Sequence, residues 1–187
     1  MPKYITLTSH YGSLFHLRQC MLSVKQSFSY AGISDYAHII AIDGMTGKNL
    51  RFDSTKLPYC PNSKIIHSKQ NKGKAFHFNS MLNSADCDVV FFLDSDDLFH
   101  KSKVKAQVQK LSDFDNMILG CNYFSYIDKM PTLFYPSNYP SDDHSIKSSF
   151  LFFPYMLFSS ICTRLSTITD QYQNPFDESL AGGIDYS

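Results

Sequence analysis

The sequence predicts an α/β sandwich in which helices cover both faces of a mostly parallel sheet. Predicted strands and helices follow the order strand, helix, strand, strand, helix, strand, helix, strand, which is typical of parallel sheets with crossover helices. Residues 89–93 are apolar throughout, as expected of a strand that is covered on both faces. The 187 residues fit a single domain with a full core, and they contain no internal repeat or linker.

The first half of the chain carries most of the regular pattern. We predict strands at residues 4–8, 37–42 and 64–67, a helix at residues 12–30, and a second helix after residues 70–74 whose apolar face is Phe78, Met81, Leu82 and Ala85. The first helix shows apolar positions at helical spacing, namely Leu14, Leu17, Met21, Val24 and Phe28. Gly32 lies where this helix should end, and prolines within residues 50–62 predict an irregular connection.

The second half is less regular. We predict strands at residues 89–93, 117–127 and 155–164, a helix at residues 101–111, and a loop over residues 131–149. The polar side of that helix carries Lys101, Lys103, Lys105 and Lys110. Such a face suits anionic lipid or an acidic substrate, although most charged helix faces are simply solvated.

Composition excludes several classes of protein. Lys plus Arg equals Asp plus Glu at 17 each, whereas a general nucleic-acid binder carries a basic excess. The five cysteines lack paired spacing, which argues against a zinc site or a disulfide scaffold and favours reduced thiols in a cytoplasmic protein. Residues 1–24 lack a signal-peptide core, and the apolar residues 150–158 are too few to span a bilayer.

An acidic cluster marks the candidate site. Asp94, Asp96 and Asp97 directly follow the apolar strand at residues 89–93. Side chains alternate along an extended chain, so Asp94 and Asp96 should point to one side, where two carboxylates suit Mg²⁺ or Mn²⁺. The alternative is an acidic turn that caps the next helix, which explains one aspartate better than three.

Polar residues also follow the other predicted strands. Tyr11 comes after the first strand and Asp43 after the second, and parallel strands bring their carboxyl ends to one edge. An aromatic ring there can stack on a base, a lone carboxylate can accept from a base or ribose, and paired carboxylates can hold a metal on a diphosphate. Neither glycine-rich phosphate motif, G-x-x-x-x-G-K-[ST] or G-x-G-x-x-G, is present, so we predict a nucleotide-diphosphate site of another type.

These motifs resemble those of family-2 glycosyltransferases with the GT-A fold, a Rossmann-like α/β/α sandwich, and the resemblance covers residues 5–186. It lies in five segments: Thr8-Ser9-His10-Tyr11, Ile42-Asp43-Gly44-Met45-Thr46, residues 71–79, Leu93-Asp94-Ser95-Asp96-Asp97, and residues 176–186. The resemblance implies that Tyr11 and Asp43 contact the base, and that Lys74, Asn79 and Asp94 bind the nucleotide sugar. It also implies that Asp96 and Asp94 hold the metal and that Asp185 is the catalytic base.

The resemblance further implies an inverting reaction. The donor would be a nucleotide-diphosphate sugar, with uridine as the expected base, and the metal Mn²⁺ or Mg²⁺. The acceptor would be a surface glycan or a lipid-linked glycan, used in the cytoplasm or at the inner face of the membrane. We expect residues 1–100 to form the nucleotide-sugar-binding half and residues 101–187 the acceptor side, which looks incomplete because family members usually continue further.

Some positions depart from the family pattern. Ile42 replaces the first Asp of the base-binding pair, Phe78 stands where Arg or Leu is common, and Ile184 precedes the expected base in place of Glu. Simpler roles also remain open for the candidate residues. In these alternatives Asp43 with Gly44 makes a good turn, Tyr11 is a core ring, Lys74 is solvated, Asn79 bridges backbone groups, and Asp185 is exposed.

Two other functions fit parts of the pattern. A non-catalytic nucleotide-sugar-binding module, or a truncated inactive homologue, would keep the donor site and transfer nothing. The Asp94-x-Asp96 pair after an apolar strand also resembles the nucleophile motif of haloacid-dehalogenase-type phosphatases. That family has the motif on its first strand, whereas here it lies halfway along the chain.

Overall fold

The computed structural model describes residues 2–12, 14–44, 53–114, 117–127, 130–149, 156–170 and 172–179. The strands are β1 Tyr4–His10, β2 Tyr36–Ile42, β3 Ser63–His67, β4 Val89–Phe92, β5 Ile118–Leu119, β6 Phe124–Ile127, β7 Met130–Pro136 and β8 Cys162–Arg164. The helices are α1 Leu14–Ala31, α2 Lys74–Asn83, α3 Lys103–Leu111, α4 Asp143–Ser149 and α5 Leu165–Thr169, with 3-10 turns at Ser54–Lys56 and Phe158–Ser160.

The central sheet has six strands in the order β3-β2-β1-β4-β8-β5. Strands β1 to β4 run parallel, and β8 is antiparallel to both β4 and β5. Strands β6 and β7 form a separate antiparallel pair. The predicted α/β sandwich with a mostly parallel sheet is therefore confirmed.

Strand β4 is the centre of the core. Val89 and Phe91 pack with residues of α1 and α3 on one face of the sheet, whereas Val90 and Phe92 pack with residues of α2 on the other. All four side chains are buried. Helices cover both faces of this strand, which is why its sequence is continuously apolar instead of alternating.

The second half of the chain corrects three predictions. The strand predicted at residues 117–127 is two strands, β5 and β6, which belong to different sheets. The loop predicted at residues 131–149 contains β7 and α4, and only Cys162–Arg164 of the last predicted strand pairs in the sheet. Short strands with few alternating positions carry little periodic signal, and the prolines at both ends of the pairing segment of β7 are tolerated because a two-stranded sheet consists of edge strands.

Helix α3 corrects a fourth prediction. Lys103 is buried, whereas Lys101, Lys105 and Lys110 are exposed. The Nζ of Lys103 donates to the Ser160 carbonyl at 2.9 Å and to Gln107 Oε1, and it lies 4.7 Å from the Phe99 ring centroid. Burial lowers the pKa of Lys103. Its position one residue before Val104 places it on the buried side of the helix, where these partners satisfy its ammonium.

Candidate active site

A cleft of about 340 Å³ opens at the carboxyl ends of β1, β2 and β4. The cleft is lined by Ser9, His10, Tyr11, His16, Asp43, Lys74, Asp94, Ser95 and Asp96. The sequence predicted that residues after three strands would converge here because parallel strands end at one edge. This convergence is what the structure shows for Tyr11, Asp43, Asp94 and Asp96, and Lys74 joins them.

The acidic turn begins where the β4 ladder ends. The backbone N–H of Leu93 still donates to the Leu7 carbonyl at 3.1 Å, but the N–H of Asp94 donates to the Ser159 hydroxyl at 2.9 Å. The N–H of Asp97 then donates to the Asp94 carbonyl at 3.1 Å and closes the turn. Strand pairing and one serine therefore fix the point at which the chain leaves the sheet.

The two carboxylates of the Asp-x-Asp pair have different surroundings. Lys74 Nζ lies 2.7 Å from Asp94 Oδ1 and 3.0 Å from Asp94 Oδ2, and it also lies 4.2 Å from the Phe158 ring centroid. Asp96 is exposed to the cleft. The charge of Asp94 is thus balanced from within the chain, whereas Asp96 is an exposed carboxylate that lines the cleft.

Two residues that the sequence did not single out support this turn. His10 Nδ1 lies 2.9 Å from the Ser95 hydroxyl, and burial lowers the pKa of His10, which favours its neutral form. Burial also raises the pKa of Asp97, which a hydrogen bond from Ser159 opposes. His10 directly precedes Tyr11 at a strand end, a position that could have drawn attention, but no local signal links Ser159 to residues 65 positions earlier in the chain.

Asp43 fastens the loop that precedes α2. This buried carboxylate accepts from the backbone N–H of Lys72 at 2.7 Å and from that of Gly73 at 2.9 Å. His77 Nε2 lies 3.0 Å from Asp43 Oδ1 without completing a hydrogen bond. Asp43 therefore sets the position of Lys74, the next residue after this loop, while it borders the cleft itself.

The position after Asp43 requires glycine. Gly44 has a φ of +57°, and a Cβ there would lie 2.5 Å from the backbone nitrogen of Asn71. A side chain at this position would push the loop at residues 71–73 away from β2. The turn that the sequence predicts at Asp43 and Gly44 extends beyond residue 44, outside the described residues, whereas Asp43 itself lines the cleft.

Tyr11 lies at the rim of the cleft. Its side chain is 59% exposed, so it is not a core ring, and its face is accessible to a planar ligand. The following residue, Gly12, has a φ of +129°, which lets the chain turn sharply between β1 and α1.

Asn79 lies outside the cleft lining. Its Nδ2 donates to the Phe176 carbonyl at 2.8 Å and to Glu178 Oε1 at 2.9 Å, and its Oδ1 accepts from the Phe176 N–H at 3.0 Å. This buried amide joins α2 to residues 176–178, so its position corresponds to the bridging alternative. Asp185, the predicted catalytic base, follows that segment and lies outside the described residues.

Comparison with protein-family models gives one match, to glycosyl transferase family 2, over residues 13–171. The chain belongs to this family. The predicted family resemblance is thereby confirmed, and membership favours sugar transfer over the phosphatase alternative. A search of curated proteins found no match.

Solved structures of glycosyltransferases share the fold. TarS of S. aureus, residues 1–349, in complex with UDP-GlcNAc has a TM-score of 0.67 and 18% sequence identity, covering 98% of this chain and 51% of that chain. The same TarS segment in complex with UDP has a TM-score of 0.66 at 18% identity, covering 98% of this chain and 53% of that one. The chain thus spans about half the length of these TarS segments.

A mannosyltransferase from Pyrobaculum calidifontis, in complex with GDP-Man and Mn²⁺, is a more distant neighbour. Its TM-score is 0.51 at 15% identity, and the match covers 64% of this chain and 35% of that chain. At this identity the likeness concerns the fold, and the family assignment rests on the family model.

The described residues of the cleft fit a divalent cation that is bound together with a ligand. Among the described residues, no group of three or more His, Cys, Asp or Glu side chains is arranged to hold a metal. Asp96 and Asp94 offer two carboxylates at most, and Lys74 competes for one of them. Mg²⁺ is commonly held by one or two carboxylates plus substrate phosphates and water, so the residues fit a metal that arrives with a diphosphate.

Proposed function

We propose that this chain transfers a sugar from a nucleotide-diphosphate sugar to a hydroxyl acceptor with inversion at the anomeric carbon. The observation that carries the proposal is one cleft at the carboxyl edge of the sheet, lined by an aromatic ring, a lysine and three aspartates, in a member of glycosyl transferase family 2. The neighbouring structures with UDP, UDP-GlcNAc and GDP-Man support a nucleotide sugar as donor, and we take UDP-sugars as the first class to test.

The base end of the donor would lie against Tyr11 and Asp43. The exposed Tyr11 ring can stack on uracil. Asp43 already accepts two backbone N–H groups, but carboxylate oxygens have further lone pairs that can accept from a base N–H. Asp43 would then bind the base and also hold the loop of Lys72 and Gly73 in place.

The diphosphate end would lie between Lys74 and the acidic turn. Asp96, with Asp94, would hold Mn²⁺ or Mg²⁺, which supplies positive charge that stabilises the departing diphosphate. Lys74 contacts Asp94 in the described state, and its ammonium can add charge for the phosphates.

Asp185 remains our candidate for the catalytic base. In the proposed reaction the acceptor oxygen forms a bond to the anomeric carbon while the bond from that carbon to the diphosphate breaks. The acceptor proton passes to the Asp185 carboxylate. Asn79 would act on this step indirectly, since it fixes residues 176–178 ahead of Asp185.

We also propose a class of acceptor and a place of action. A surface glycan or a lipid-linked glycan is the acceptor class that we favour, used in the cytoplasm at the inner face of the membrane. None of the described helices is long and apolar enough to cross a bilayer, so any contact of the described part with lipid would be made from the surface.

The Asp185→Asn variant tests the proposal. We expect it to bind the donor as the unaltered chain does and to lose transfer by a factor of about 10² to 10⁴, because a general base contributes that much. Donor binding is measured by calorimetry and glycoside formation by product analysis. Asp177→Asn is the matched control, since Asp177 is exposed and accepts only locally from Ser179.

Two results would contradict the assignment. Full transfer by Asp185→Asn would show that another group is the base. Donor binding without transfer in the unaltered chain, with any acceptor class, would favour the non-catalytic binding module.

A further inference from the structure

Helices α1 and α3 contain no acidic residue, although the whole chain has 17 Asp and Glu and a net charge of zero. Their exposed cations form what we call the basic face: Arg18, Lys25, Lys101, Lys105 and Lys110. Lys101 lies just before α3 and the other four lie within the helices. Both helices therefore expose cations and no carboxylate.

The two helices form one surface. Ser27 of α1 accepts from the Val104 N–H at 3.2 Å and donates to the His100 carbonyl at 3.1 Å, so the start of α3 is fixed against α1. The exposed Tyr30 ring then spans the junction, with Lys101 Nζ at 5.8 Å and Lys105 Nζ at 5.9 Å from its centroid. Lys101 and Lys105 therefore lie with Tyr30 in one patch at the junction of the two helices.

Apolar side chains lie among these cations. Leu22 is 41% exposed, Tyr30 53% and Phe114 42%, and Lys110 Nζ lies 5.0 Å from the Phe114 ring centroid. Lysines interleaved with leucine and aromatic rings are typical of surfaces that lie at a membrane interface, with the rings at headgroup level and the ammonium groups on anionic lipid. Leu22 favours a lipid over a nucleic acid, since an aliphatic side chain gains little on a phosphate backbone but gains free energy on entering the acyl boundary.

We propose that the basic face docks the chain on an anionic lipid bilayer. The acidic residues nearest to the two helices in sequence, Asp35 and Asp113, lie beyond their ends. His16 in the first turn of α1 lines the cleft, so α1 begins beside the cleft. The proposal concerns lipid binding alone and does not depend on sugar transfer.

The test is co-sedimentation of the full chain with vesicles of phosphatidylcholine alone and with vesicles that also contain phosphatidylglycerol. We expect binding only to the anionic vesicles and weaker binding at high salt, because salt screens exposed charges. In the double variant Lys101→Gln/Lys105→Gln, the affinity for anionic vesicles should fall about 30-fold, because each lysine near the surface contributes about 1 kcal/mol. The matched control is Lys64→Gln/Lys147→Gln, which removes two exposed lysines elsewhere and should bind as the unaltered chain does.

A third variant separates lipid from soluble polyanions. Leu22→Ser keeps every charge of the basic face and should weaken vesicle binding several-fold, while retention on heparin should not change. Equal losses of vesicle binding in the lysine variant and in its control would overturn the proposal. It would also be overturned if Leu22→Ser bound vesicles as the unaltered chain does and the chain bound heparin or nucleic acid more strongly than vesicles. Donor binding measured on the same samples reports on the cleft separately, because none of the substituted residues lines it.

Discussion

At the scale of single residues, the difference between Asp94 and Asp96 matters most. Strand alternation predicted that both carboxylates point to one side, and both do line the cleft. The two carboxylates differ because Lys74, twenty positions before Asp94 in the sequence, forms an ion pair with Asp94. A local pattern cannot reveal that contact, because it depends on how α2 packs beside β4.

Glycine at position 44 provides a prediction about the loop behind the cleft. Gly44→Ala should destabilise the fold by about 1–3 kcal/mol or displace residues 71–73, because strain from a positive φ adds to a clash with the Asn71 backbone. Gly32→Ala is the control, since Gly32 also has a positive φ but a Cβ there meets nothing within 4 Å. Urea unfolding of both variants measures the difference, and equal free energies of unfolding would show that the Asn71 contact is unimportant.

Buried histidines predict how stability depends on pH. Burial lowers the pKa of His38 to about 3, against a value of about 6.5 in an unfolded chain. Between these values the unfolded state binds more protons, so the free energy of unfolding should fall as the pH falls from about 6.5 toward 3, by up to about 1.4 kcal/mol per pH unit from this residue. Its Nε2 lies 2.9 Å from the Thr8 hydroxyl.

The variant His38→Gln tests this assignment. Glutamine can retain a hydrogen bond to Thr8 and does not titrate, so the acid-induced loss of stability should be shallower in the variant than in the unaltered chain. The measurement is urea unfolding across the range from pH 4 to pH 7. His10 retains part of the slope because burial also lowers its pKa, but an unaltered slope would show that His38 does not titrate on unfolding.

At the scale of elements, the sequence was most informative where the sheet is parallel. Strands β1 to β4 and helices α1 to α3 lie close to their predicted positions, because each combines an apolar run or a periodic apolar pattern with glycine or polar residues at its end. The sequence did not distinguish strand β8 from the turn at Phe158–Ser160, because both lie within one apolar stretch. They nevertheless matter to the site, since Ser159 holds the backbone of Asp94 and Phe158 lies under Lys74.

Asn79 gives a prediction that separates two roles for α2. If this residue mainly holds residues 176–178, Asn79→Ala should lower the free energy of unfolding by about 2–3 kcal/mol, because three hydrogen bonds are lost. It should also reduce transfer while the donor affinity changes little. Hydrogen exchange of residues 176–178 and calorimetry with the donor measure the two effects.

The control for this variant is Asn83→Ala. Asn83 also lies on α2 and donates to Asn174 at 3.0 Å, but this contact is exposed, so its loss should cost less. The contrary result for Asn79→Ala is a large drop in donor affinity with no change in hydrogen exchange at residues 176–178. That result would support the nucleotide-sugar-binding role that the family resemblance implies for Asn79.

At the scale of the whole molecule, the cleft follows from topology. Residues 11, 43, 94 and 96 meet because three parallel strands end at one edge, which is why the candidate site could be assembled from sequence. The loop held by Asp43 and the histidine behind Ser95 could not be predicted, because those contacts join residues 29 to 85 positions apart. The division into residues 1–100 and 101–187, and the role of Asp185, remain predictions.

The net charge of the chain does not indicate how its charges are distributed over the surface. A net charge of zero removed nucleic acid from the expected partners, but it concealed two adjacent helices without a carboxylate. The packing of α1 against α3 brings Lys101 and Lys105 beside Tyr30, and the burial of Lys103 shows that this lysine is not part of the basic face.

The central claim is that the cleft binds a nucleotide diphosphate together with a divalent metal. Titration of UDP and UDP-sugars by calorimetry, with Mn²⁺ and then with EDTA, tests it most directly on the unaltered chain, Asp96→Ala and the control Asp113→Ala, which removes an exposed carboxylate outside the cleft. We predict metal-dependent binding that Asp96→Ala abolishes and Asp113→Ala preserves. Binding that is equally strong in EDTA or in Asp96→Ala, or no binding of any nucleotide by the folded chain, would contradict the account.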